Sequence, residues 1–162
     1  MLDLPTRRSG NTSFATGATY RGDAKVPKFP DDAPIVVFDG HCVLCSRFAR
    51  FILRHDHRRK YRLLPAQTPL GDALYRHYGL DPENYQTNIL LENGTAWFRS
   101  ESSLRIIAGF GFPWTLVNLF RVLPLSLRDR LYEWVARNRF NFFGRQDVCM
   151  LGVTGHEDRF LS

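Results

Sequence analysis

An α/β fold, with a βαβαββα core and a C-terminal helical extension, is predicted by three features of the chain. The β-branched run Ile35-Val36-Val37-Phe38 stops at Asp39-Gly40, and Cys42-Val43-Leu44-Cys45 follows at the head of an amphipathic segment. That is the pattern of a strand, a tight turn and a helix start. Asn93-Gly94 joins two short apolar runs as a hairpin. Helical spacing alternates with extended runs as far as about residue 112 and then continues as helix.

Residues 1–33 carry scattered Gly and Pro with no sustained period and are expected to form a flexible or loosely docked arm, whose Phe14, Tyr20 and Phe29 can pack on the domain. The domain is expected over 34–150, with its core at about 34–112. The strand at 35–38 is apolar on both faces, as a central strand buried between layers would be. A helix from about Cys42 to His55 presents Val43, Leu44, Phe48, Phe51 and Ile52 as its apolar stripe, with Arg47, Arg50 and Arg54 outward. The basic run Arg54 to Lys60 closes it and reads as a solvated helix end that complements the macrodipole. No aromatic platform or glycine cradle accompanies those charges, so no nucleic-acid partner is expected.

Tyr61 to Leu64 is a short strand ended by Pro65, and Leu70 to Tyr78 a helix stopped by Gly79. Asn88 to Leu91 and Ala96 to Arg99 form the hairpin. Ser100 is placed to cap a helix from Glu101 to Ala108. In the extension (about 113–150), a segment from Trp114 to Leu123 is apolar on most sides and expected to be buried against the domain, and one from Ser126 to Asn138 carries the stripe Leu127, Leu131, Trp134 and Val135. Residues 151–162 read as a tail. This order, with a Cys-x-x-Cys after the first strand, is that of a thioredoxin-like fold.

With 162 residues, 44% of them hydrophobic and 14% aromatic, the chain can bury one core. The net charge of +6 and pI near 9.6 allow attraction to acidic partners or anionic membranes without requiring it. Three cysteines do not make a disulfide framework and suit a reducing compartment. The sequence shows no signal-peptide pattern, and Arg105, Pro113, Arg121 and Pro124 interrupt the most apolar region, so a cytoplasmic protein with no membrane span is expected.

Asp39-Gly40-His41-Cys42-Val43-Leu44-Cys45 resembles the Asp-Gly-x-Cys-x-x-Cys signature of the DCC family of predicted thiol-disulfide oxidoreductases. Pro124, Arg128, Asp129 and Tyr132 are similar to a second stretch of that family. Asn138-Arg139-Phe140, with Phe143-Gly144-Arg145 and then Cys149, is similar to its C-terminal signature. The resemblance covers about residues 34–150 and implies a thioredoxin-like fold and dithiol-disulfide exchange with a thiol or disulfide substrate, a protein among the candidates, through a Cys42–Cys45 disulfide and without an organic cofactor. Gln86-Thr87 stands before the third strand where a thioredoxin has a cis-proline, which argues against a general protein-disulfide reductase.

In this reading Cys42, at the helix N-terminus, is the attacking thiolate and Cys45 the less exposed resolving thiol. Asp39 is either the base for Cys45 or the residue that shapes the turn. His41 is a donor to the thiolate or a solvated entry residue. Arg139 and Arg145 stabilise a thiolate or acidic substrate, or pair within the extension. Cys149 is a buried thiol or the partner in a switch disulfide. Two other readings stand beside exchange. One is a Zn²⁺ or Cu(I) site from Cys42, Cys45 and Cys149 with His41 or His156. The other is an interaction module that docks through its apolar extension on a membrane protein or redox partner.

Overall fold

The computed structural model describes residues 19–145 and 155–161. Four strands form one sheet in the order β2-β1-β3-β4: β1 (Ile35–Phe38), β2 (Arg62–Pro65), β3 (Ile89–Glu92) and β4 (Thr95–Phe98). β1 pairs parallel with β2 and antiparallel with β3, and β3 pairs antiparallel with β4. Val36 lies opposite Leu63 on one side and Leu90 on the other, so β1 is central and fully paired. Its alternating residues then reach two cores, as the all-apolar run predicts.

Ile35 and Val37 pack with Leu64, Leu74, Tyr75 and Ile89 on the face covered by α2 (Pro69–His77). Val36 and Phe38 pack with Ala49, Ile52, Leu63 and Ile106 on the face covered by α1 (Val43–His55) and α3 (Arg99–Ala108). The mixed α/β architecture is thioredoxin-like, with a C-terminal helix added. Tyr20 and Val26 of the N-terminal arm are buried in the α2-side core, and Tyr20 donates to Asp31 at 2.8 Å. Phe14 lies outside the described residues.

Several expectations need correction. Ser100 does not cap α3; it donates instead to Asp129 at 2.5 Å, because that carboxylate on the next helix lies within its reach. Residues 114–122 form a 3-10 helix (Trp114–Val122) with no buried residue. Both sheet faces are already covered, so this helix rests on the body along one side, where Trp114 meets Phe51 and His55 edge-on at 5.1 and 4.9 Å. α4 (Leu125–Phe143) runs five residues beyond the expected end and stops at Gly144, whose φ of +81° suits only glycine without strain. Of its stripe, Leu127, Leu131 and Trp134 face solvent and Val135 is half-buried, and its buried residues are Ala136 and Arg139. The C-terminal residues are more than a tail: Leu161 N–H donates to Leu63 O at 2.8 Å, and Arg159 is buried against Asp56.

Candidate functional site

The site forms where β1 ends. Gly40 N–H donates to Gln67 Oε1 at 3.0 Å, and His41 N–H donates to Asp39 Oδ1 at 3.0 Å, so Asp39 shapes the turn as one of its two expected roles requires. Cys42 has extended backbone and caps α1, its Sγ accepting the Cys45 N–H at 3.4 Å. Thiols do not often cap helices, but a thiolate here satisfies one of the orphan amides of the first turn. The two cysteines approach to 3.1 Å with no disulfide between them.

The exposures reverse the expected order. Cys42 is 0% exposed and Cys45 is partly exposed. From about a hundred residues away, the backbone of Arg145, just past α4, forms an antiparallel bridge to Cys42.

Electrostatics divide the pair. The Cys42 thiol is drawn down to about 6, first by the Cys45 side-chain hydrogen bond, with the Cys45 N–H and the Arg139 charge assisting and burial and Asp39 opposing. The Cys45 thiol is pushed well above its ordinary value by the same hydrogen bond, by burial and by the neighbouring Cys42 and Asp39 charges. As pH rises, Cys42 therefore gives up its proton before Cys45 does.

Asp39 and Arg139 form a buried ion pair at 3.1 Å beside the dithiol. Asp39 also accepts from Gln67 Nε2 at 2.6 Å, and Arg139 Nη1 donates to Ala136 O at 2.7 Å. Arg139 thus pairs with a carboxylate while its charge helps to lower the Cys42 thiol. Arg145 is exposed, and both guanidiniums stack on Phe140, Arg145 at 4.0 Å and Arg139 at 4.2 Å. His41 is exposed, with no side-chain hydrogen bond among the described residues. Cys149 lies outside the described residues, and among these no group of three His, Cys, Asp or Glu gathers as a metal site.

Gln67 was not among the candidates. It follows β2, at the C-terminal end of the strand parallel to β1, where open α/β sheets place their functional groups, and that position was the available signal. The loop before β3 is also tied down. Tyr132 accepts from Asn88 N–H at 3.0 Å and donates to Asn88 Oδ1 at 2.7 Å, while Tyr75 donates to Thr87 O.

The model of the DCC1-like thiol-disulfide oxidoreductase family matches residues 36–145. The chain belongs to this family. A chloroplastic DCC family protein of Arabidopsis thaliana is 37% identical over 122 residues, covering 75% of this chain and 71% of its own. The uncharacterized protein YuxK of Bacillus subtilis (strain 168) is 29% identical over 127 residues, covering 78% of this chain and 93% of its own. No solved structure matches.

The three DCC motifs converge in space. Arg128 reaches Glu101 at 3.3 Å, and Asp129 and Tyr132 hold Ser100 and Asn88. The C-terminal motif supplies Arg139 to Asp39 and Arg145 to the backbone of Cys42. The later motifs thus fasten α4 over the dithiol of the first.

Proposed function

We propose that the protein exchanges electrons between its Cys42/Cys45 dithiol and a thiol or disulfide substrate. The observation that carries this reading is the geometry of the pair, Cys42 at the head of α1, 3.1 Å from Cys45 and accepting its N–H, an arrangement that draws the Cys42 thiol down and pushes the Cys45 thiol up. The family supports a redox role for the pair.

In the reducing direction, Cys42 Sγ⁻ attacks one sulfur of a substrate disulfide R–S–S–R′. A Cys42–S–R bond forms, the S–S bond breaks, and R′S⁻ leaves to take a proton from water. Cys45 then loses its proton and attacks Cys42 Sγ, expelling RS⁻ and forming the 42–45 disulfide. The protein gives up two electrons and the substrate gains two. Reversal oxidises a substrate dithiol. Asp39 is the nearest carboxylate along the chain to accept the Cys45 proton, and Arg139 offsets the charge that this transfer moves. Substrate reaches Cys42 when the Arg145 bridge opens. This chemistry suits a reducing compartment such as the cytoplasm and needs no organic cofactor or metal.

The test is mass spectrometry of alkylated protein equilibrated in glutathione buffers of defined potential, with Cys42→Ser and Cys45→Ser controls and a metal assay on the same sample. A 42–45 disulfide that forms reversibly across the physiological range, and in neither variant, is expected. Its failure to form, or stoichiometric metal protecting the thiols, would overturn the reading.

A further inference from the structure

Among the described residues, the large apolar side chains that stand exposed all lie between Phe112 and Phe143. Phe112, just before the 3-10 helix, is 84% exposed, and Leu119 and Val122 on it are 75% and 78% exposed. On α4, Leu127, Leu131 and Trp134 stand at i, i+4 and i+7, a stripe turned away from Tyr132, Ala136 and Arg139 on the side that grips the body. Between the two elements opens a groove of about 480 Å³ lined by Leu104, Phe120, Leu123, Leu127, Leu131 and Val135. Single exposed leucines need no explanation, but a contiguous apolar surface of this extent marks a place of contact.

Charge selects what the contact is with. Residues 110–145 contain six arginines and two carboxylates; Arg121 and Arg128 pair with Glu101 and the buried Arg139 with Asp39, so the arginines without a carboxylate partner among the described residues are Arg130, Arg137 and Arg145, all exposed. Both carboxylates already have partners, Asp129 in Ser100 and Glu133 in Arg99 at 3.0 Å. Arg130 and Arg137 are exposed, have no carboxylate partner among the described residues, and lie on one line with Trp134, at i, i+4 and i+7. A second copy of the chain seated on this face would press one arginine fringe against another. An anionic surface would meet both parts of it, apolar side chains entering the acyl boundary and arginines the headgroups, with Trp134 at the level between.

We propose that the 3-10 helix and the outer side of α4 dock the protein on an anionic lipid surface. The attachment is peripheral, since among the described residues no helix is long and apolar enough to cross a membrane. It does not depend on the thiol chemistry, because the opposite side of α4 faces the dithiol.

Co-sedimentation of the full chain with phosphatidylcholine vesicles, and with vesicles that also contain phosphatidylglycerol, tests the proposal. Binding to the mixed vesicles is expected, weakened by salt and accompanied by a blue shift of tryptophan emission that Trp134→Phe reduces. Arg130→Gln with Arg137→Gln should weaken binding to the mixed vesicles about 30-fold. Leu119→Glu with Leu131→Glu should abolish it. These side chains are exposed, so unchanged Cys42 alkylation in the variants verifies that each remains folded. Absence of binding, equal binding to both vesicle types, or a lipid-free dimer that Leu131→Glu dissociates would overturn it.

Discussion

Cys42 is the N-cap of α1 and accepts the Cys45 N–H, so its thiolate is stabilised by the fold and not by solvent. Its folded value of about 6 lies below the ordinary 9.0, so between those values the unfolded chain binds a proton that the folded chain does not. Stability must therefore rise with pH across that window and lose this contribution as pH falls through 6. Urea unfolding of the reduced protein against Cys42→Ser should show a difference that grows from about pH 6 towards 9 and vanishes below. A flat difference would mean that the thiol is not depressed. Above pH 9 the raised Cys45 thiol acts with the opposite sign.

α4 is attached through polar contacts: Arg128 to Glu101, Asp129 to Ser100, Tyr132 to Asn88 and Arg139 to Asp39. The Asp39–Arg139 pair is the buried one, and removing one partner of such a pair leaves a charge without its counterpart. Arg139→Ala is expected to cost about 3–5 kcal/mol in chemical unfolding. Asp39→Asn combined with Arg139→Met, which removes both charges, should recover most of that loss. If the double variant is no better than the single one, the ion pair is not the fastening.

Across the whole molecule, the C-terminal residues close the structure from the far side of the chain. Arg159 meets Asp56 at 2.5 Å and donates from Nε to Tyr61 O at 3.1 Å, both side chains being buried at the end of α1. Leu161 adds its N–H to Leu63 at the edge of β2. Arg159→Ala should lower stability by about 3 kcal/mol or more, and Arg159→Lys should rescue it only in part, since an ammonium lacks the planar fork. Thermal unfolding and hydrogen exchange at Leu161 would report both effects.

Much of the fold was legible along the chain. The strand and turn at Ile35 to Gly40, the Cys42 helix start and the Asn93-Gly94 hairpin depend on period and turn chemistry, which act over a few residues. The site was half legible, as the dithiol and Asp39 stood in one motif while Arg139 and Arg145 entered through a resemblance. Gln67 was invisible because it is 28 positions from Asp39 and carries no local pattern. The segment from Trp114 to Leu123 was misread for a related reason: hydropathy says that a helix can be buried, and only packing decides how much of it meets the body. By itself the sequence determined the element order and the dithiol at the head of α1. The tertiary structure decided that Arg139 and Arg159 neutralise carboxylates 100 and 103 positions away, that the backbone of Arg145 bridges to Cys42, and that the apolar face of the extension is left to solvent. Charge pairing and burial depend on distance in space, which chain neighbours do not specify.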